Sequence, residues 1–195
     1  LFAVWLFTIP FEGKILYALL DHHRISYQPF VLGSIVAHSA GLLLCGFFVK
    51  SMRLAKWLML ISIVFCALAS AVFFFTPSDW WYAALFSSSF MAGFCVASWG
   101  YFLKSGTPKN QRSKTVAEML ALSYILLLLL VKASTAVSVQ EGVALAILPL
   151  GIMFMICLRL PLQEDAAFRS DAQPQENSVR IGKPLIFLCL FIVVV

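Results

Sequence analysis

Helix is favoured over strand by one uninterrupted apolar run, Leu126-Leu127-Leu128-Leu129-Leu130. A strand of a membrane barrel alternates apolar and polar residues over about 10 positions, and this run shows no alternation. The same character extends along the chain, because 62% of its 195 residues are apolar, 12% are charged and the mean hydropathy is +0.94. A soluble domain is only about 45–50% apolar. The composition therefore excludes a soluble enzyme, a disordered chain and a collagen-like rod, and it predicts an all-α, polytopic membrane protein.

Polar and turn-forming stretches divide the chain into six nearly complete spans and the start of a seventh. The predicted spans cover residues 1–20, 27–49, 57–76, 81–103, 116–138 and 142–160. Residues 161–183 have the composition of a solvated loop, and the apolar run 184–195 is shorter than the about 20 residues that a span needs. Because the chain starts and stops inside apolar runs, we expect a fragment of a longer protein.

The distribution of Lys and Arg predicts the orientation of the spans. Of the 14 basic residues, eleven lie after the second, fourth and sixth spans, whereas the other connections hold only Arg24. Basic residues accumulate on the cytoplasmic side, so the first span should start in the cytoplasm of a cell whose inner membrane holds the protein. The net charge of +5 then reflects topology and anionic lipid, and we expect no contact with nucleic acid.

This plan resembles the N-terminal half of a major facilitator superfamily transporter, in which a long cytoplasmic loop joins two six-helix halves. The connection between the second and third spans, Gly46 to Lys56, matches the family's signature loop in its glycine and its basic character. It departs from that loop at Lys50, where the family has an acid that helps to latch the two halves. The next connection on this side, Thr107 to Lys114, resembles the family's Pro-then-Arg connection.

The resemblance implies a six-helix bundle that works with a missing C-terminal six-helix half. A small solute would bind near the midplane between the halves and move by alternating access, and protons would be a second partner. The resemblance also implies that a gating loop includes the glycine and the basic residues of these connections, namely Gly46, Lys50, Arg53, Lys56 and Arg112.

Ionisable side chains inside the spans are the candidate site residues, because a charge in the bilayer centre is costly. Glu12 lies near the middle of the first span, between the helix-disturbing residues Pro10 and Gly13. Trp5 and Thr8 share a helix face with Glu12 and form a polar stripe that would suit the wall of a cavity. We expect Glu12 to bind a substrate or a proton, although a structural hydrogen bond between helices and a misplaced helix boundary remain alternatives.

Two further spans carry residues that could join this site. Lys132 shares a stripe with Tyr124 in the fifth span, and in the resembled fold the first and fifth spans are neighbours, which would pair Lys132 with Glu12. Snorkelling of Lys132 to the membrane surface is the alternative. His38, in the second span, is either an interhelical hydrogen-bonding residue or a proton relay. In the fourth span, the small residues Ser87 to Ser89, Gly93 and Gly100 should allow close helix contact.

Other classes of function have less support. The five cysteines lie within the spans without the spacing of metal ligands, and we expect neither a metal site nor a cofactor. The sequence contains no catalytic triad, phosphate-binding loop or carboxylate dyad, so an enzyme is not expected. The alternative to a secondary transporter is a non-transporting membrane sensor, similar to the membrane domain that precedes a helix-turn-helix of the LuxR type in some bacterial regulators.

Overall fold

A computed structural model describes residues 1–11, 13–26, 28–135 and 138–160. The described residues form α-helices and one short 3-10 turn, Val72–Phe74, and they contain no strand. The helices are α1 (Phe2–Thr8), α2 (Lys14–His22), α3 (Gln28–Phe48), α4 (Met52–Ala71), α5 (Asp79–Gly106), α6 (Arg112–Thr135) and α7 (Val139–Arg159). The predicted loop 161–183 and the predicted seventh span 184–195 lie outside the described residues.

Five of these helices, α3 to α7, are long and apolar enough to cross a membrane. Their candidate spans contain 19 to 28 residues, which at about 1.5 Å per residue matches a hydrocarbon core about 30 Å thick. These helices indicate a multi-pass membrane protein. The expectation of six such helices needs correction at residues 1–20, where the chain forms two helices of 7 and 9 residues.

Four helices begin earlier than the apolar pattern predicts, and in two of them, α4 and α7, a serine side chain caps the start. The Ser51 hydroxyl accepts a hydrogen bond from the Leu54 amide at 3.2 Å, and α4 begins at Met52 instead of near residue 57. At the start of α7, the Ser138 hydroxyl and the Glu141 carboxylate each accept a hydrogen bond from the other residue's amide. Such capping boxes satisfy amides that a helix start leaves unpaired.

The bundle is organised around α5, which packs on both α3 and α4. The two short helices pack mainly against α6 and α7, and α7 in turn packs against α4. Large fully buried side chains fill the interior, among them Trp5 on α1, Phe30 on α3 and Trp81 on α5. The short helices thereby face the interior of the bundle.

Helices α3 and α5 approach each other closely where they cross. A Cβ atom on Gly93 would lie 2.5 Å from the His38 carbonyl oxygen and 2.7 Å from the Leu42 amide nitrogen. The expectation of close contact is therefore confirmed at Gly93. It is wrong at Gly100, where a Cβ atom would have no neighbour within 4 Å among the described residues.

Candidate functional site

The predicted site lies at the break between α1 and α2. Helix α1 ends at Thr8, and the Phe11 amide then bonds to the Leu6 carbonyl at 2.8 Å, five residues back rather than four. Pro10 has no amide hydrogen to continue the helical pattern, and Gly13 starts α2 as its N-cap. Glu12 belongs to this break by sequence, but its own position lies outside the described residues.

Trp5 and Thr8 are fully buried and use their polar groups inside the protein. The Trp5 indole Nε1 donates a hydrogen bond to the Ser70 hydroxyl on α4 at 2.9 Å. The Thr8 hydroxyl donates to the Trp5 carbonyl at 3.0 Å. Both side chains have 0% exposure, so in this conformation they belong to the core rather than to an open cavity wall.

His38 connects α3, α5 and the break. Its Nδ1 atom lies 3.2 Å from the Ser89 carbonyl oxygen, and the edge of its ring meets the Phe11 ring with centroids 5.0 Å apart. A carbonyl oxygen only accepts hydrogen bonds, so the neutral imidazole carries its proton on Nδ1 and leaves Nε2 as an acceptor. The side chain is 9% exposed. Of the two roles expected for His38, the structure shows the hydrogen bond between helices, and the role of proton relay stays a prediction.

Two buried serines on α4 and α5 have hydroxyl groups without a hydrogen-bond partner among the described residues. They are Ser62 on α4 and Ser89 on α5, both with 0% exposure. Leaving a buried hydroxyl unpaired costs about 1–3 kcal/mol, so such groups call for an explanation. The sequence did not lead us to Ser62. Ser62, Cys66 and Ser70 follow one another at intervals of four residues, however, and this spacing marks one polar face of α4.

Helix α6 supplies the two remaining predicted site residues. The Tyr124 ring stacks on the Phe7 ring of α1 with centroids 5.7 Å apart, although the tyrosine is 47% exposed. Lys132 lies exposed in the last turn of α6. The first and fifth predicted spans are thus in contact, through both α1 and α2. The pairing of Lys132 with Glu12 stays a prediction, because Glu12 is outside the described residues.

The loop predicted to gate the bundle is tied to the end of α7. The Lys56 ammonium donates hydrogen bonds to the Leu158 carbonyl at 2.9 Å and to the Leu160 carbonyl at 2.7 Å. These carbonyls end a helix, where they lack intrahelical partners and a positive charge is favourable. Lys56 therefore holds α4 and α7 together at this end of the bundle.

The other residues of the predicted gating loop differ in their contacts. Arg112 donates to the Thr107 and Lys104 carbonyls and so closes the end of α5. The side chains of Lys50 and Arg53 are exposed, and so is Gly46, around which a Cβ atom would find no neighbour within 4 Å. The contacts of Lys56 and Arg112 stabilise the C-terminal ends of α7 and α5, respectively.

The described residues contain no group of three or more His, Cys, Asp or Glu side chains that could hold a metal ion. Four cysteines, Cys45, Cys66, Cys95 and Cys157, are buried as free thiols. Cys66 donates to the Ser88 carbonyl at 3.5 Å, which fits a small packing residue. Cys189 lies outside the described residues.

The candidate site therefore comprises the break between α1 and α2, the buried His38 ring that meets Phe11, and the Ser89 carbonyl bonded to His38. Comparison with protein-family models, with curated proteins and with solved structures gives no match. The case for a function rests on the chemistry of these residues, and the resemblance to the major facilitator superfamily stays a prediction.

Proposed function

We propose that this bundle is the N-terminal half of a proton-coupled secondary transporter, which moves a small solute by alternating access with a second six-helix half. The observation that carries the proposal is the break between α1 and α2 with the buried His38 ring against it. In transporters, interrupted helices near the midplane form substrate and ion sites, because their free backbone groups can bind a ligand.

In this mechanism, His38 and Glu12 exchange protons with the site. Protonation of His38 at Nε2 turns its acceptor into a donor, while Nδ1 keeps its hydrogen bond to the Ser89 carbonyl. The Phe11 ring touches the His38 ring, and Phe11 directly precedes Glu12 in the sequence. Binding of a solute beside the break would then be linked to the protonation state of both groups.

Alternating access needs an element that can change its backbone angles, and the break provides one. Helices α1 and α2 each pack separately on α6 and α7. A short linker between two anchored helices can absorb a change in dihedral angles without unfolding either helix.

In the membrane, the basic end of the bundle would face the cytoplasm, where the positive-inside rule puts Lys50 and Lys109.

The test is uptake by the full-length protein in proteoliposomes that contain a pH-sensitive dye. A panel of sugars, amino acids and organic acids is applied with and without a proton gradient. We expect at least one solute to enter together with protons, and the proton movement to be lost in Glu12→Gln and His38→Gln. Two matched controls, Glu118→Gln on the exposed face of α6 and His22→Gln at the end of α2, should behave as wild type.

Two results would contradict the proposal. If Glu12→Gln and His38→Gln both retain wild-type proton movement, neither residue is a coupling site. If none of the solutes in the panel enters the vesicles but one of these solutes stabilises the protein against heat, the sensor alternative is supported instead.

A further inference from the structure

The ends of α4 and α7 form a second distinctive surface, away from the break. Lys56 binds the carbonyls of Leu158 and Leu160, which are the residues on either side of Arg159. Arg53 lies three residues before Lys56, and side chains at this spacing are about 5–6 Å apart on a helix. The Lys56 hydrogen bonds therefore fix Arg53 of one helix and Arg159 of the other at the same end of the bundle.

Both arginines are exposed, and neither forms a hydrogen bond or an ion pair within the part of the chain that the structure describes. The ion pair that this part does contain joins Lys114 to Glu118 at 3.8 Å on α6. Two guanidinium groups at the same end of the bundle thus have donors to offer to an anion. Arginine suits phosphate oxygens in particular, because its planar group can donate two parallel hydrogen bonds.

Each arginine stands at the end of an exposed apolar column. On α4, Trp57 follows Arg53 by one turn and is 61% exposed, and Ile61 follows Trp57 and is 52% exposed. On α7, Met155 precedes Arg159 by one turn and is 57% exposed. A ligand that fits this surface is negatively charged at one end and apolar along its length.

We propose that Arg53 and Arg159 bind the phosphate group of an anionic glycerophospholipid, whose acyl chains lie along the exposed apolar side chains of α4 and α7. The exposed indole of Trp57 lies one turn from the charge, at the depth where tryptophan favours the interface between headgroups and hydrocarbon. Basic sites between helices on the cytoplasmic side of membrane proteins bind anionic headgroups in this way. The occupant is the lipid itself, since a free anion would leave the apolar columns unused.

Native mass spectrometry of the full chain in detergent tests the proposal by titration with phosphatidylglycerol or with the zwitterionic phosphatidylcholine. The electrostatic attraction between one basic residue and an anionic membrane surface typically raises the binding affinity about 5-fold. We expect Arg53→Gln and Arg159→Gln each to weaken binding of phosphatidylglycerol about 5-fold, and the double variant roughly 30-fold. Phosphatidylcholine, whose choline ammonium offsets its phosphate charge, should bind more weakly and lose less affinity in these variants. Replacing both arginines by lysine should restore part of the affinity for phosphatidylglycerol, because lysine keeps the charge but not the two parallel hydrogen bonds.

The matched control removes two charges from the same end of the bundle but outside the surface, as Lys109→Gln with Lys114→Gln. This control should keep its affinity for phosphatidylglycerol within about 2-fold of wild type. An equal loss in the control would overturn the proposal, because the attraction would then come from the general positive field. Unchanged affinity for phosphatidylglycerol in the double arginine variant would also overturn the proposal. Competition by millimolar inorganic phosphate would show a site for a soluble anion instead of a lipid.

Discussion

The close crossing of α3 and α5 gives the sharpest prediction on stability. In Gly93→Ala the new methyl group would start 2.5 Å from the His38 carbonyl oxygen and 2.7 Å from the Leu42 amide nitrogen. Both neighbours are backbone atoms, so no side chain can turn away, and α3 must move about 1 Å to reach an ordinary contact distance. Overpacking of this kind costs about 1–3 kcal/mol in the free energy of unfolding.

Gly100→Ala is the matched control for this substitution, because it lies on the same helix and its methyl group would meet no atom of the described part of the chain within 4 Å. Alanine favours a helix over glycine by up to about 1 kcal/mol, and this gain applies to both variants, so their difference isolates the crossing. Unfolding in mixed micelles with increasing denaturing detergent should place Gly93→Ala about 1–3 kcal/mol below Gly100→Ala. Equal stabilities would show that the two helices are not in backbone contact.

The same substitution also reaches the proposed site, because His38 carries the carbonyl that the methyl group would push. If Gly93→Ala folds at reduced temperature, its proton coupling should fall even though no polar group has been removed. If Gly93→Ala has wild-type proton coupling and wild-type stability, the helix crossing does not influence the proposed site.

Three further predictions concern single contacts. Trp5→Phe keeps the packing of the ring but removes the bond to Ser70, so stability should fall by about 1 kcal/mol, and a double-mutant cycle with Ser70→Ala should show coupling between the two positions. Lys56→Met should lower the midpoint of thermal unfolding, because two carbonyls at the end of α7 lose their donor, whereas Lys50→Met, which changes an exposed side chain, should not. Ser138→Ala should cost about 0.5–2 kcal/mol by removing the cap of α7, and Ser138→Gly only a few tenths, as measured by chemical denaturation.

The sequence predicted the helical elements well because long apolar runs leave little choice of structure in a membrane. Positions of helix starts were less predictable, since Ser51 and Ser138 extend helices into polar residues that an apolar count leaves out. The interruption at Pro10 and Gly13 was readable from the chemistry of these two residues. What the sequence did not reveal is that the interruption yields two separate helices, neither of which is long enough to cross a bilayer.

The candidate site was harder to predict, because helical spacing assigns a side chain to a face but not to a partner. Trp5 and Thr8 share a face with the break, yet the face packs into the core against Ser70. His38 was recognised as an exception among apolar residues, whereas its contact with Phe11 depends on tertiary packing. The role of Lys56 was hidden for the same reason, since its acceptors on α7 lie far away in sequence.

The order in which the helices are made has a consequence for the break between α1 and α2. In hydrocarbon, backbone groups freed from a helix are costly unless protein covers them. The covering helices for this segment are α6 and α7, the last of the described helices to leave the ribosome. During synthesis, the free backbone groups between α1 and α2 must therefore be shielded from lipid until α6 and α7 are present. The final docking of α1 and α2 should be one of the latest steps in assembly of the bundle.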